Sequence, residues 1–234
     1  MLLKVDNISV TYGHAKALHE VSLKLNSGEV VFIVGRNGAG KTTLLKTIAG
    51  FMKPTEGSIL FNDYSLVDFS IEKTASEGIR YIFQDKRVFT KLTVKENIAL
   101  SAYASRIKLS EAVDKIVTFY PKINKMMSLK AGNLSGGQRQ ILLFGCAVIS
   151  NPKILLIDEP TEGLAAVIID EIINLIEKIK GKVSMVIVEQ NISIVCRLAD
   201  RIYVMKEGKI GKEIIPNNNI ENRLQIRKDI EDYV

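Results

Sequence analysis

Several residue types that anchor metals, disulfides and membranes are scarce in this chain. Its two cysteines, Cys146 and Cys196, are isolated and show no ligand-like spacing. That excludes a disulfide frame and a cysteine metal site, and both are expected to be small buried apolar residues. There are two histidines, His14 and His19, both near the N-terminus. No apolar run approaches the ~20 residues that span a bilayer. "VVFIVG" and "ILLIDEP" are short and end in glycine or charge, as buried strands do. The start, "MLLKVDNISVTYG", lacks a basic block followed by an apolar stretch, so no signal peptide is expected and the chain reads as cytosolic. Asn-x-Ser triplets such as Asn191-Ile192-Ser193 are then expected to carry no glycan. No arginine-rich block is seen either. The basic residues are spread along the chain, and the net charge of +6 alone selects neither nucleic acid nor a membrane face.

The 47% hydrophobic and 25% charged residues predict a globular chain with an ample core, and 234 residues allow one large domain or two small ones. Residues 2–10 alternate apolar and polar, and "VSLKLNSGEVVFIVG" follows with a turn at Asn26-Ser27-Gly28. This predicts an antiparallel hairpin leading into a buried strand at 30–34. Further strands are expected at "GSILFND", 79–83, "KILLIDEP", "VSMVIV", "RIYVM" and "GKI". From about 93 to 149 the chain reads as helical, and Thr93-Val94-Lys95-Glu96 has capping-box spacing. Residues 165–180 form an amphipathic pattern, with Ile168, Ile172, Leu175, Ile176 and Ile179 on one face. A helix is expected over about 191–198, and Asn217–Asn219 reads as a turn before a C-terminal helix. Buried strands alternating with helices predict a parallel sheet covered on both faces, with an antiparallel start and a helical middle as additions.

"GRNGAGKTT", Gly35 to Thr43, fits G-x-x-x-x-G-K-[ST] directly after a buried strand and at the start of a helix. Gly35, Gly38 and Gly40 let the backbone turn so that amides along Arg36, Asn37 and Ala39 face phosphate oxygens. The helix N-terminus adds partial positive charge. Lys41 would bridge the outer phosphates, and Thr42 offers a hydroxyl to Mg²⁺. In "ILLIDEPT" a buried strand ends in two acids, which is costly unless a cation or hydrogen bonds compensate. Asp158 would hold the Mg²⁺ shell, and Glu159 would orient and activate the attacking water. "NLSGGQRQ" opens a further helix, with Ser135 as N-cap and Gly136-Gly137 allowing close approach of an anion.

Gly35–Thr43, Leu134-Ser135-Gly136-Gly137-Gln138 and Ile154–Glu159, in that order, resemble the nucleotide-binding subunits of ABC transporters over nearly the whole chain. The resemblance implies one P-loop ABC ATPase domain over 1–234, with a parallel α/β core, an N-terminal antiparallel β subdomain and a helical subdomain inserted at about 85–149. It implies ATP and Mg²⁺ as cofactors. Tyr12 matches the aromatic that stacks on adenine, and Gln84 the glutamine that contacts Mg²⁺ and senses the membrane partner. Ser135, Gly136, Gly137 and Gln138 match the segment that binds ATP held by the opposite subunit's phosphate loop. The partners implied are transmembrane permease subunits, a second ATPase subunit and, indirectly, a solute-binding protein. The implied location is the cytoplasmic face of the membrane.

"KRVFTKLTVKENIAL", "EPTEGLA" and "VEQN" resemble the ATP-binding subunits of branched-chain amino acid importers, whose close relatives serve urea or other amides. Ala165 replaces the family's usual aspartate and Ala166 the proline after it. Gln84-Asp85-Lys86 departs from the branch's usual Glu/Gly-bearing phrase. Gln190 falls where most of the family has a histidine. Its amide can hydrogen-bond a γ-phosphate oxygen but cannot titrate near neutral pH. Two other uses of the cassette stand beside import. One is a lipid or lipopolysaccharide export ATPase. The other is a mechanical clamp on nucleic acid or ribosomes, which commonly carries a long coiled coil or two cassettes. This chain shows neither, so no nucleic-acid partner is expected.

Overall fold

The computed structural model describes residues 1–216 and 220–231, so the turn expected at Asn217–Asn219 lies outside the described residues. The chain opens with β1 (Leu3–Tyr12) and β2 (Ala15–Leu25), then β3 (Val30–Val34) and α1 (Lys41–Ile48). Next come β4 (Glu56–Phe61), β5 (Tyr64–Ser65), α2 (Ile71–Ser76) and β6 (Ile79–Ile82). The middle holds α3 (Val94–Ala104), α4 (Leu109–Phe119), two 3₁₀ turns at Pro121–Met126 and Ala131–Asn133, and α5 (Gly136–Ile149). The last part is β7 (Ile154–Asp158), α6 (Ala166–Ile179), β8 (Ser184–Val188), α7 (Ile192–Leu198), β9 (Arg201–Lys206), β10 (Lys209–Ile214) and α8 (Ile220–Glu231).

Two sheets result. The first has the order β2-β1-β4-β5 and is antiparallel, with Leu3 opposite Leu25 and Tyr12 opposite Ala15 in the opening hairpin. The second has the order β10-β9-β3-β8-β7-β6. Its strands from β9 to β6 are parallel, and β10 returns antiparallel along β9. All five residues of β3, β7 and β8 are buried, and all but Asp158 and Ser184 are apolar, as in strands covered on both faces. Alternation assigns the faces. Val31 and Ile33 pack with α1 and the first sheet, whereas Val30, Phe32 and Val34 pack with α5, α6 and α7. Each side chain so buried contributes ~1.5–3 kcal/mol.

A third apolar cluster joins α3, α4 and the outer side of α5 through Val94, Ile98, Ala112, Ile116 and Leu142. Gly145 sets how closely α4 approaches α5, since a Cβ there would lie 2.2 Å from Ile116 Cδ1. Both helix starts expected from spacing are built. Thr93 Oγ1 accepts from the Glu96 N–H at 3.1 Å while Glu96 accepts from the Thr93 N–H at 2.7 Å. Ser135 and Gln138 form the same reciprocal pair at 3.2 and 2.9 Å. Caps of this kind are worth ~1 kcal/mol each.

One expectation needs correction. Cys146 and Cys196 are half-buried rather than buried. The Cys146 thiol donates to the Asn97 carbonyl at 4.0 Å, and desolvation pushes it up to about 12. Ile168, on the apolar face of α6, packs against the core and is half-buried beside Gly137. "GKI" extends the sheet as an antiparallel edge, paired through the Glu207-Gly208 turn. The basic residues are spread as expected, but the net charge is not. Residues 85–135 hold ten Lys/Arg against four Asp/Glu, and that difference of six equals the +6 of the whole chain. The helical middle is therefore the basic part of an otherwise balanced molecule.

Candidate active site

Four loops at the C-terminal ends of the parallel strands converge on one region, which is where open α/β sheets place ligands. The loop after β3 is the phosphate loop. A Cβ on Gly35 would stand 2.1 Å from the Met205 carbonyl oxygen, and Gly40 takes φ 100° with Leu18 and Met205 side chains against it. Both positions therefore demand glycine for reasons internal to the fold. Lys41 is 4% exposed, donates to the carbonyls of Gly35 at 2.7 Å and Arg36 at 2.9 Å, and lies 3.8 Å from Glu159 Oε1. Burial lowers its pKa, and the carboxylates of Glu159, Asp158 and Glu189 oppose that shift.

Asp158 ends β7 and is 1% exposed. Desolvation raises its pKa, opposed by hydrogen bonds from Tyr81 and Thr42 and by the charges of Lys41 and Lys46. The Tyr81 hydroxyl donates to Oδ2 at 2.8 Å and the Thr42 hydroxyl to Oδ1 at 3.2 Å. Glu159 turns the chain at φ 44°, its N–H donating to the Val188 carbonyl at 3.0 Å. Its carboxylate receives one amide on each oxygen: Gln190 Nε2 on Oε1 at 2.7 Å and Gln84 Nε2 on Oε2 at 3.1 Å. Gln190 Nε2 also donates to Asn37 Oδ1 at 2.8 Å. A glutamine thus ties the acid after β7 to the phosphate loop after β3.

An open cleft of about 540 Å³ lies over these groups. The phosphate loop, Gln84 and Glu159 line one side, and Lys16, His19 and Glu207 line the other. Tyr12 is 52% exposed beside it, its hydroxyl 3.4 Å from Thr43 Oγ1. Gly38, Thr42 and Thr43 line the cleft, while Arg36 and Ala39 sit with Met205 and Lys206 along a smaller depression behind the loop. Ser135, Gly136, Gly137 and Gln138 contribute nothing to the cleft. Gln138 spends its side-chain carbonyl on capping α5. A Cβ on Gly136 would meet only Leu164 Cδ2, at 3.9 Å, whereas one on Gly137 would collide with Ile168 at 2.5 Å.

Sequence reasoning missed Tyr81, Lys16, His19, Glu207 and Glu189. Glu189 follows the apolar run Met185–Val188, the same signal that marked Asp158 and Glu159. It is 3% exposed and accepts the N–H groups of Thr161 at 3.2 Å, Gln190 at 2.8 Å and Asn191 at 3.0 Å, with the Thr161 hydroxyl as a fourth donor. It fixes the loops after β7 and β8 to each other. Lys16, His19 and Glu207 carried no local signal, because the opening hairpin and the β9–β10 turn meet only in the fold, where the His19 N–H donates to the Gly208 carbonyl at 2.8 Å.

The donor set suits a hard cation: a hydroxyl from Thr42, a carboxylate from Asp158 and an amide oxygen from Gln84. Among the described residues no group of three or more His, Cys, Asp or Glu side chains could hold a metal alone.

Comparison with known proteins follows this geometry. The sequence family described as ABC transporter matches residues 18–162, more than half of the chain. The high-affinity branched-chain amino acid transport ATP-binding protein BraG of Pseudomonas aeruginosa is 38% identical over 211 residues, covering 89% of this chain and 91% of that protein. The xylose/arabinose import ATP-binding protein XylG of Sulfolobus acidocaldarius is 35% identical over 216 residues, covering 89% and 86%. The crystal structure of an ATP-binding cassette of an ABC transporter in its ADP conformation superposes with a TM-score of 0.85 at 32% identity, covering 99% of this chain and 98% of that one.

Proposed function

This chain belongs to the ABC transporter family, and from that premise we propose that it drives import of branched-chain amino acids as one of two ATPase subunits on a membrane permease. The observation that carries the catalytic part is the double amide grip on Glu159 beside Lys41, at the edge of an open cleft floored by the phosphate loop. Tyr12 stacks on adenine, and the amides of Arg36 to Thr43 with Lys41 take the phosphates. Thr42, Asp158 and the carbonyl of Gln84 would hold Mg²⁺, which would supply positive charge against the phosphate oxygens. Glu159 accepts a proton from water as the water oxygen bonds to the γ-phosphorus and the bridge to ADP breaks. One N–H of Gln190 orients Glu159, the base, and the other, held by Asn37 Oδ1 here, turns to the γ-phosphate when the nucleotide binds.

A second cassette is part of this reading. Gly136 has an ordinary backbone and open space around it, so nothing within the chain requires glycine there. A requirement from outside fits: Ser135 to Gln138 close over ATP held by the partner's phosphate loop. Among the described residues no helix is long and apolar enough to cross a membrane, so the transport path belongs to permease subunits, with a solute-binding protein upstream. The amino-acid cargo is supported by the likeness to BraG and by "EPTEGLA" and "KRVFTKLTVKENIAL", and a sugar is the competing cargo raised by XylG.

The test is reconstitution with the membrane permeases that co-purify with the chain. Binding protein loaded with leucine should stimulate ATP turnover, and stimulation by xylose alone would overturn the cargo. Glu159→Gln should lower turnover ~10³-fold, within the range for loss of a general base. It should also hold an ATP-bound dimer on size exclusion. Hydrolysis at the parental rate would remove Glu159 from the mechanism.

A further inference from the structure

The loop after β6 departs from the phrase usual in its branch at Gln84-Asp85-Lys86, and the fold gives that stretch a specific task. Gln84 Nε2 donates to two carboxylates, Glu159 Oε2 at 3.1 Å and Glu162 Oε2 at 2.7 Å. Lys86, in the left-handed region at φ 49°, donates Nζ to the backbone carbonyl of the same Glu162 at 2.7 Å. The loop after β6 is thereby stapled to residue 162 twice, once at its side chain and once at its main chain.

The chemistry of the partners decides how the amide is turned. A carboxylate only accepts, and a primary amide has one donating end and one accepting end. With an acid on each N–H, a reversed amide would set its oxygen against two carboxylates. The carbonyl of Gln84 is therefore the end left for a cation, and it accepts no hydrogen bond among the described residues. Glu159 is poorly suited to fix this orientation alone. It is shared with Gln190 and Lys41, and it takes up a proton in the reaction. Glu162 is exposed and takes no part in proton transfer.

We propose that Glu162 is the positioning residue that sets which end of the Gln84 amide meets the cation accompanying the nucleotide, and that Lys86 holds the loop carrying it. This rests on the reading of Gln84 as a Mg²⁺ contact. The experiment is an electron paramagnetic resonance titration of Mn²⁺ into the full chain saturated with a non-hydrolysable ATP analogue. Analogue affinity is measured separately in excess chelator. Glu162→Ala should weaken Mn²⁺ binding ~10-fold, the lower end for loss of a residue that orients a metal ligand. Analogue affinity without metal should not change. Glu162→Gln keeps the side chain's size but offers either amide end, so it should remain close to Glu162→Ala. Parental affinity in Glu162→Gln would mean that the side chain serves loop shape alone, and would overturn the proposal. Gln84→Ala separates the two readings. If it weakens Mn²⁺ binding and Glu162→Ala does not, the positioning role falls and the Mg²⁺ contact stands. If Gln84→Ala has no effect, both fall.

Discussion

Gly35 and Gly136 belong to two glycine-rich turns that look alike in sequence and differ in what surrounds them. At Gly35 a side chain would strike the Met205 carbonyl at 2.1 Å, so the β9 strand of the same chain forbids it. At Gly136 the nearest atom is 3.9 Å away and the backbone is ordinary helix. The first glycine is explained by folding, and the second is left unexplained until something outside the chain approaches. Gly137 stands between them, with an internal reason in the close packing of Ile168. A motif can therefore be divided, residue by residue, into a part that serves the chain and a part that serves a partner.

The sharpest way to break this contrast is to add a methyl group at each place. Gly35→Ala should cost ~3 kcal/mol or more of stability, the upper range for overpacking, read as a lower thermal midpoint. A fall under about 1 kcal/mol would show that β9 yields and that the internal explanation is wrong. Gly136→Ala should leave stability within ~0.5 kcal/mol, as for a surface change. In the assembled transporter the same variant should still lower ATP turnover ~tenfold or more, about 1.4 kcal/mol. Loss of stability and turnover together would erase the distinction between the two turns. The smallest effect is expected at Gln190, whose exposed amide adds a contact to a base already held by Gln84. Gln190→Ala should slow turnover about fivefold, the worth of one hydrogen bond of ~1 kcal/mol. An unchanged rate would leave Gln190 a link between Asn37 and Glu159 with no kinetic role.

What was legible in advance follows the same division. Gly35 to Thr43, the acid pair Asp158-Glu159 and the caps at Thr93 and Ser135 are contiguous, so their spacing alone reveals them. The parallel core was legible because β3, β7 and β8 carry the apolar runs Val30–Val34, Ile154–Ile157 and Met185–Val188. The amide grip on Glu159 was not. It joins residues 37, 84, 159 and 190 only because the strand order β3-β8-β7-β6 sets their loops side by side. The short α2, capped by Ser70, and the two-residue β5 escaped because elements of that length show no period. The concentration of charge in residues 85–135 was present in the sequence but was diluted by reading the chain as a whole.

Glu189 carries one more consequence. Amides in connecting loops normally trade their protons with water far faster than those in strands. Here the loop amides of Thr161, Gln190 and Asn191 all point at one carboxylate that is 3% exposed. Their protons are shielded from solvent by an acid instead of a neighbouring strand. Hydrogen exchange at these three amides is therefore expected to be slower than at the exposed Glu162 and Gly163 beside them.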